Sequence, residues 1–345
     1  MRALTISTHG ELDRIQVRDD LLIPELHRPV DVRIRVRAAA LNRLDLFVVH
    51  GLPGISITAP WPLGADACGV VESVGDEATG LHVGDYVVVN PGLSDRTCEY
   101  CLEGEQPLCP RFGILGEHFP GTIAEYIVVP AANVRAIPAS IPVEVAAAFT
   151  LATLTAWRML VTRARVQRND DVLIWGISGG VALAALQICK QIGARVWAVS
   201  SSDEKLERAA RLGADELLNR NSIEVGKAVR ERTGKRGVTV VVDNVGHATW
   251  AQSLLALGRR GRLVTCGATS GPMVETDVRR LFWNQWSIMG STMGNDAEFD
   301  AVVAELRAGR LLPPIDSVFS LAEGRAAFER LESADHFGKI VVQVS

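Results

Sequence analysis

Residues 173–186, LIWGISGGVALAAL, join an apolar run to a helix of small residues through a turn rich in glycine. The apolar run ends at Trp175, and the helix is predicted to begin near Val181. Glycines let a backbone approach a phosphate closely, and the free N–H groups of a helix N-terminus face its negative charge. The turn therefore predicts a pyrophosphate site with contacts from Ser178, Gly179, Gly180 and Val181.

The segment around this turn, up to about Gly267, alternates short apolar strands with helices. Its successive runs are DVLIWG, VALAALQICKQIGA, RVWAVS, DEKLERAARLGA, VTVVVDNV, ATWAQSLLALG and RLVTCG. Repeated strand–helix units predict right-handed crossovers and a parallel sheet covered on both faces. A glycine-rich turn alone is weak evidence, because any tight turn needs glycine, but inside this alternation it predicts dinucleotide binding.

The end of the second strand decides which dinucleotide is preferred. RVWAVS ends in Ser200, and Ser201, Asp203 and Lys205 follow closely. A carboxylate at the strand end would bind the ribose hydroxyls of NAD, whereas neutral hydroxyls and a cation suit the 2′-phosphate of NADP. The sequence therefore favours NADP, with Arg220 as a second cation. The alternative is that Asp203 only caps the next helix and Lys205 is a solvated charge.

Residues 1–145 have a different pattern, in which short β-branched runs are broken by glycine, proline and asparagine. The runs DVRIRVRAAAL, ACGVVESVG, DYVVVNPG and GTIAEYIVVPAANV predict a mostly β domain. A helical segment, IPVEVAAAFTLATLTAWRML, then links this domain to the alternating region. The C-terminal tail predicts two further amphipathic helices and a closing strand.

Three of the six cysteines of this 345-residue chain lie in residues 94–109, SDRTCEYCLEGEQPLC. Six cysteines in so long a chain do not indicate a disulfide scaffold. In a reducing compartment, a C-x-x-C cluster is more often a metal or redox site. The segment therefore predicts a metal site at Cys98, Cys101 and Cys109.

The overall composition excludes several partner classes. The formal net charge is −4 and both signs are spread along the chain, so no basic stripe indicates nucleic-acid binding. No signal segment opens the sequence, and no apolar run reaches the length of a membrane-spanning helix. We therefore expect a cytoplasmic enzyme acting on a small molecule, with no nucleic-acid or membrane partner.

Several runs together resemble the medium-chain dehydrogenase/reductase superfamily, which contains zinc alcohol dehydrogenases and quinone oxidoreductases. They are LGADACGVVESVGDEATGLHVGDYVVV, the cysteine segment, GTIAEYIVVP, LATLTAWRML, SGGVALAALQICKQIGARVWAVSSSDEKLERAARLGADE and FGKIVVQV. The resemblance covers essentially the whole chain and implies an α/β fold. It implies a GroES-like, mostly β catalytic domain (residues 1–145 and 292–345) and a Rossmann NADP-binding domain (residues 146–291), with the active site in the cleft between them.

Members of the family with a structural zinc lobe carry C-x2-C-x2-C-x7-C. The last three cysteines match Cys98, Cys101 and Cys109, and the first position is Asp95. A carboxylate oxygen is an accepted zinc ligand, so the resemblance implies one structural Zn²⁺ on these four residues. The alternative is an eroded lobe with free thiols or a Cys98–Cys101 disulfide.

The second, catalytic zinc of alcohol dehydrogenases has no matching ligands here. The motif positions are Asn42 in LNRLDLF, Ala65-Asp66 where relatives have His-Glu, and a third position near Leu151. Without a Lewis acid, an alcohol does not readily form the alkoxide that gives up hydride. The pattern resembles that of zinc-independent quinone and enone reductases, whose electron-poor acceptors need positioning and an oxyanion donor more than a metal.

The predicted catalytic residues are Asn42, Asp45, Asp66 and His118. Asn42 could donate to a carbonyl, the two aspartates could orient it or relay protons, and His118 could give a proton. Each also has a structural alternative, such as pinning a turn or lying in a loop. Relatives also imply cofactor contacts from Thr155 and Lys339, and the predicted set is completed by Asn244, Gly267 and Ala268.

The sequence thus predicts an NADPH-dependent reductase of quinones or α,β-unsaturated carbonyls without a catalytic metal. Two alternatives remain at this stage: an alcohol or aldehyde dehydrogenase that holds its metal in another way, and a catalytically silent NADPH-binding protein. The apolar run WSIMGSTM, residues 286–293, predicts an edge strand that pairs in a homodimer or homotetramer.

Overall fold

The computed structural model describes residues 1–345 and divides the chain into two compact units. The first unit consists of Met1–Leu154 and Gly294–Ser345, and the second is Thr155–Met293. The sequence placed these boundaries at 145/146 and 291/292. None of the helices combines the length and the apolar character that spanning a membrane requires.

The N-terminal part of the first unit consists mainly of strands, in agreement with its β-branched runs. The third strand is the longest and has a fully buried end, because its last residues are alanines that pack closely between neighbours. The strands are β1 (Ala3–Ile6), β2 (Gln16–Arg18), β3 (Asp31–Ala40), β4 (Trp61–Pro62), β5 (Asp66–Val74), β6 (Tyr86–Val89), β7 (Gly92–Leu93), β8 (Gly113–Ile114), β9 (Tyr126–Pro130) and β10 (Val134–Ala136). The helices are α1 (Arg43–His50), α2 (Glu99–Leu102), α3 (Val143–Ala147) and α4 (Thr150–Trp157).

The predicted linking helix is thus observed as α3, α4 and a π-helical turn over Arg158–Arg163. Because α4 runs continuously through the change of unit at Leu154, the hydrophobic pattern of this helix gives no sign of where the first unit ends.

The second unit alternates strands and helices as predicted. Its sheet is six-stranded and parallel, with the doubly wound order β13-β12-β11-β14-β15-β16. The elements are β11 (Asp171–Ile174), α5 (Gly180–Ile192), β12 (Arg195–Ser200), α6 (Asp203–Arg211), β13 (Glu216–Asn219), α7 (Val225–Arg232), β14 (Val238–Val242), α8 (Trp250–Ala256), β15 (Leu257–Thr265), α9 (Val278–Asn284) and β16 (Ser287–Gly290). Its apolar core includes Trp197 and Leu263, both fully buried.

The C-terminal segment returns to the first unit with α10 (Asp296–Arg307), β17 (Ile315–Ser320), α11 (Gly324–Glu332) and β18 (Lys339–Gln343). Strands β17 and β18 complete a seven-stranded sheet of order β10-β6-β5-β3-β18-β17, in which β9 also pairs with β3. The sequence predicted β18 but missed β17, whose run IDSVFS carries polar residues and stays partly exposed. The fold class is confirmed: a mostly β domain and a Rossmann parallel-sheet domain.

Candidate active site and metal lobe

A polar cluster forms where β3 ends. Asn42 follows this strand, Asp66 is the first residue of β5, and Lys339 is the first residue of β18. Strand β3 pairs antiparallel with both neighbours, so Ala40 lies opposite Asp66 on one side and Val341 on the other. The sheet therefore brings together three side chains that are far apart in the sequence.

The cluster is a buried ion pair with an amide beside it. The Lys339 ammonium donates to Asn42 Oδ1 at 2.6 Å and to Asp66 Oδ2 at 3.0 Å. The exposed fraction is 4% for Lys339 and 0% for Asp66, so both charges depend on protein partners rather than on water. Asp66 Oδ1 accepts from the Leu151 backbone N–H at 2.7 Å, which satisfies the other side of the carboxylate. Buried charges are retained only when they are paired and hydrogen-bonded in this way.

Asn42 has a different role in this arrangement from the one expected of it. Its side-chain N–H groups donate to Asp66 Oδ2 at 2.9 Å and to the Ala40 carbonyl at 3.4 Å. The amide is thus occupied in orienting Asp66 and accepting from Lys339. Donation from Asn42 to a substrate carbonyl would require breaking one of these bonds.

Asp45 lies in the first turn of α1 and caps that helix. Its carboxylate accepts from the Asn42 backbone N–H at 2.6 Å. Burial is the main cause that raises the pKa of Asp45 to about 7, and the charges of Asp66 and Glu117 act in the same direction, against the backbone hydrogen bond and the Lys339 ammonium. Asp45 therefore contacts the backbone of Asn42 and helps to fix the position of that residue in the cluster.

His118 lies apart from these residues. Its Nδ1 accepts from the Ile114 backbone N–H at 3.2 Å and lies 3.7 Å from Glu117 Oε2. No hydrogen bond or ion pair joins it to the cluster, and 39% of its side chain is exposed. This geometry matches the structural alternative for His118, that of a loop residue.

The glycine-rich turn of the second unit has the form that a pyrophosphate site needs. Gly176 adopts a φ of +64°, and a Cβ added there would meet nothing within 4 Å. Gly179 is the N-cap of α5, and an added Cβ would meet only the Gly176 carbonyl oxygen, at 3.5 Å. Space therefore lies above the turn, beside the unpaired N–H groups that begin a 13-residue helix. The predicted contacts Ser178, Gly179, Gly180 and Val181 all lie here.

The loop after β12 is ordered around Ser200. Ser202 Oγ accepts from the Lys205 backbone N–H at 3.3 Å and thus caps α6. The Arg220 backbone N–H donates to the Ser200 carbonyl at 2.9 Å, which places exposed Arg220 at the same sheet edge. Asp203 accepts from the Asn219 side chain at 2.7 Å, so this carboxylate already has a partner in the protein.

The remaining predicted cofactor residues of the second unit lie at the same carboxyl edge or on α4. Asn244 follows β14, and a Cβ added at Gly267 would lie 3.5 Å from the Asn244 carbonyl oxygen. Ala268 continues the loop after β15. Thr155 is buried and its hydroxyl contacts Met293 Sδ at 3.7 Å. Lys339 belongs to the other unit and is bonded to Asn42 and Asp66.

One buried carboxylate in this region was missed by the sequence analysis. Asp243, fully buried, accepts from the Thr249 hydroxyl at 2.8 Å, the Ser253 hydroxyl at 2.6 Å and the Gly246 backbone N–H at 3.1 Å. It holds the loop that contains Asn244. The signal was present as an acidic residue directly after the apolar run VTVVV.

The four residues of the predicted zinc lobe converge. One ligand atom from each of Asp95, Cys98, Cys101 and Cys109 lies within 4.8 Å of all the others. The cysteines form no disulfide, and the Cys109 sulfur accepts backbone N–H groups from Asp95 at 3.4 Å and Arg111 at 3.3 Å, as metal-bound thiolates do. Three thiols and a carboxylate at these distances fit a tetrahedral zinc ion.

The Asp95 carboxylate is divided between two tasks in this lobe. Its Oδ1 accepts the backbone N–H groups of Thr97 at 2.9 Å and Cys98 at 3.0 Å. These two hydrogen bonds hold the pKa of Asp95 well below its usual range. Oδ2 takes neither of these two backbone hydrogen bonds, lies 4.0 Å from Arg111 Nε, and remains for a metal ion or for the neighbouring thiols.

Comparison with known proteins agrees with this architecture. Residues 28–139 match the alcohol dehydrogenase GroES-like domain, and residues 180–308 match the zinc-binding dehydrogenase family. A solved structure described as an NAD-dependent alcohol dehydrogenase is 42% identical and superposes over 100% of both chains with a TM-score of 0.95. The NAD-dependent alcohol dehydrogenase of Saccharolobus solfataricus is 29% identical over 99% of each chain. The quinone oxidoreductase of Homo sapiens is 25% identical over 96% of this chain and 94% of its own.

These matches span both units and include the glycine-rich turn. The chain belongs to the medium-chain dehydrogenase/reductase superfamily, as its sequence motifs predicted. It is an NAD(P)-dependent oxidoreductase whose relatives act on different substrates.

Proposed function

We propose that this protein uses NADPH to reduce a quinone or an α,β-unsaturated carbonyl compound without a catalytic metal ion. The supporting observation is the chemistry of the cluster around Asp66. The positions of the three catalytic zinc ligands hold the amide of Asn42 and the alkyl side chains of Ala65 and Leu151. None offers a thiolate or an imidazole, so these residues do not fit a catalytic zinc ion.

An electron-poor acceptor suits such a site. Bound NADPH supplies the hydride, and a conjugated carbonyl or quinone accepts it without prior deprotonation. What the protein must supply is binding, orientation and a donor for the developing negative charge. The turn at Gly176 and the N-terminus of α5 are suited to bind the pyrophosphate.

A panel of substrates tests this function. Purified protein is mixed with NADPH and a series of quinones and enones, and in the opposite direction with NADP⁺ or NAD⁺ and simple alcohols. We expect NADPH consumption with members of the first series. Alcohol oxidation that requires a second equivalent of zinc would contradict the proposal in favour of an alcohol dehydrogenase. Binding of NADPH without turnover of any acceptor would indicate a catalytically silent protein.

The preference for NADPH has its own test at Ser200. Arg220 and Lys205 flank the strand end, and Asp203 is already bonded to Asn219. One charge-assisted contact to the 2′-phosphate contributes about 1.5–3 kcal/mol, equal to about a tenfold to hundredfold preference in kcat/KM. We expect Ser200→Asp to reverse most of it. Equal kcat/KM for NADPH and NADH in the wild type would show that this loop does not select the cofactor.

The lobe of Asp95, Cys98, Cys101 and Cys109 is proposed to hold one structural Zn²⁺. Metal analysis should give one zinc per chain. Two zinc ions per chain would contradict the proposal that the protein has no catalytic zinc site. A content of zero after purification without chelator would contradict the lobe.

A homodimer, or a tetramer built from dimers, is also proposed. Strand β16 lies at the edge of the parallel sheet, with Ile288 37% exposed, and the neighbouring helix α9 exposes 63% of Phe282 and 72% of Trp283. An uncovered apolar edge of this kind favours pairing with a second copy. Light scattering at micromolar concentration should give twice or four times the chain mass, and Ile288→Lys should lower it. A monomer in the wild type would refute this assembly.

A further inference from the structure

The ammonium of Lys339 lies among the residues that stand at the catalytic metal positions. It bonds to Asn42 at the first ligand position and to Asp66, which adjoins the second position, Ala65. Asp66 in turn accepts the backbone N–H of Leu151 at the third position. A single positive charge thus contacts Asn42 and Asp66 directly and is linked to Leu151 through the Asp66 carboxylate.

The position of Lys339 is fixed by its backbone as well as by its side chain. Gly338 adopts a φ of +112°, and a Cβ added there would lie 2.4 Å from the Pro314 carbonyl oxygen. The Lys339 backbone N–H donates to that same carbonyl at 2.8 Å. Only glycine fits this close approach, so the chain enters β18 at one defined angle.

One of the three N–H donors of the Lys339 ammonium is not used in a hydrogen bond to the protein. A lysine ammonium has three N–H bonds. One is directed to Asn42 Oδ1 and one to Asp66 Oδ2, and the third has no acceptor in the protein. A buried cation with an unsatisfied N–H is suited to meet an oxygen atom that is becoming negative.

We propose that Lys339 replaces the catalytic metal ion and that its third N–H bond binds the oxygen of the acceptor. This proposal rests on the proposed function. When hydride, a hydrogen with its electron pair, joins the β-carbon of an enone, the C=C pair shifts and the carbonyl oxygen becomes an enolate oxyanion. The nicotinamide is oxidised and the acceptor is reduced. Lys339 holds the oxyanion by charge and hydrogen bond, and water supplies the proton that completes the product.

Asn42 and Asp66 are positioning residues for this donor. They fix two of the three N–H bonds, and therefore the direction of the third. A metal ion would also stabilise an alkoxide derived from an alcohol, whereas a lysine ammonium has donors only and offers no acceptor for the alcohol proton. The arrangement therefore selects for reduction of conjugated carbonyl acceptors.

The first test separates acceptor binding from cofactor binding. Lys339→Met removes the charge with little change in volume, Lys339→Arg retains it, and Lys227→Met is the matched control. Lys227 pairs with Glu224 on the surface of α7 and is 63% exposed. We expect Lys339→Met to lower kcat with the best enone by about 100-fold or more, which is the effect of removing a hydrogen-bond donor to an oxyanion. Lys339→Arg should lower kcat less.

The dissociation constant of NADPH, measured by fluorescence, should be unchanged in Lys339→Met. If that variant instead loses NADPH affinity and keeps its kcat, Lys339 is a cofactor contact and the proposal fails. Because Lys339→Met leaves Asp66 without its cation, Asp66→Asn/Lys339→Met is prepared as a second variant without the buried charge. It should bind NADPH normally and have the same low kcat, and recovery of the wild-type kcat would overturn the proposal.

The second test does not depend on activity. Asn42→Cys/Leu151→Cys introduces two thiols around Asp66, and the same variant is made with Lys339→Met. Each is titrated with Co²⁺ after the lobe has been filled with zinc, and thiolate-to-cobalt absorption reports binding. We expect the variant that also carries Lys339→Met to bind one additional equivalent of Co²⁺, and the variant that retains Lys339 to bind none. Equal binding by both variants would show that the ammonium does not occupy the place of the metal.

The two tests distinguish failure of this inference from failure of the proposed function. If the wild type reduces no acceptor in the panel, the proposed function fails while the Co²⁺ titration still decides where the cation lies. If the wild type reduces enones and Lys339→Met does so equally fast, the function stands and the role of Lys339 is refuted.

Discussion

The Asp95 lobe and the Lys339 cluster are two groups of polar side chains with opposite chemistry. In the lobe, three thiols and a carboxylate lie within 4.8 Å of one another. In the cluster, an ammonium lies between an amide oxygen and a carboxylate, with no thiol among them. The lobe therefore offers soft metal ligands, while the cluster offers an amide and a carboxylate to a cation of the chain itself.

The surrounding structure explains why the two regions differ. The lobe contains α2, of four residues, a 3-10 turn over Gln106–Leu108 and loops, and it has few apolar side chains of its own to bury. A crosslinking ion is the main source of stability that such a segment can have. The cluster instead lies at the ends of three central strands above a large apolar core, so its fold needs no ion.

The largest effect should come from breaking the lobe. Cys109→Ser removes a sulfur that also accepts two backbone N–H groups. Structural zinc contributes about 10–16 kcal/mol of apparent binding free energy in small zinc domains, so its loss should unfold the lobe. Metal analysis should show no zinc, and limited proteolysis should cut near residues 94–111. Cys266→Ser, in the second unit, should retain one zinc, and a Cys109→Ser protein that also retains it would contradict the lobe.

Breaking the buried ion pair of the cluster should have the next largest effect. Lys339→Met leaves the Asp66 carboxylate buried without its cation, which costs about 3–5 kcal/mol of unfolding free energy. Asp66→Asn/Lys339→Met removes both charges and should recover most of that loss. Denaturant unfolding of the two variants and the wild type measures the difference. If the double variant is no more stable than Lys339→Met, the charges are not coupled as the structure indicates.

The pH dependence of stability should report Asp45. Its pKa is raised from 3.8 to about 7 in the folded protein, so between these values the native state binds more protons than the unfolded state. The free energy of unfolding therefore falls as pH rises from about 4 to about 7, by at most about 4 kcal/mol from this group. Asp45→Asn keeps a cap on α1 and should remove this slope. Parallel pH profiles of the two proteins would show Asp45 to titrate normally.

The smallest expected effect is that of replacing Asp95, and it separates metal binding by this side chain from its hydrogen bonds to the Thr97 and Cys98 backbone. Asp95→Asn keeps an oxygen for the Thr97 and Cys98 N–H groups but removes the negative charge. If Oδ2 binds zinc, the chelator concentration that removes zinc from the variant should be about 10- to 100-fold lower than the concentration needed for the wild type. Asp95→Cys restores four thiols and should hold zinc more tightly than the wild type. Identical retention by Asp95→Asn and the wild type would make Asp95 a turn residue only.

Most of the fold could be predicted from the hydrophobic periodicity of the sequence. The alternating runs of residues 171–267 and the glycines at 176–180 predicted the parallel sheet and its first turn, because burial on both faces requires continuous apolar strands. Strand β17 was missed since its run IDSVFS is half polar and gains its place only from β18. The sequence placed the domain boundary at 145/146, and α4 continues through the change of unit at Leu154.

The candidate site was predicted unevenly. The proximity of Asp95, Cys98, Cys101 and Cys109 could be predicted because these residues lie at short spacing along the chain. Asn42, Asp66 and Lys339 were each named, but the ion pair was not, because 273 residues separate Lys339 from Asp66. His118 was named on its chemistry alone, and the structure holds it in a loop beside Glu117.

The sequence by itself determined the class of each unit, the glycine turn and the metal-ligand spacing, since all three are set by neighbours along the chain. Only the tertiary structure decided that Lys339 lies against Asp66 and Asn42. That contact depends on β3 pairing with β5 on one side and β18 on the other, at a register fixed by Gly338 and by close packing of alanines. Charges that meet across a sheet are placed by strand register, and register is a property of the folded core rather than of any one segment.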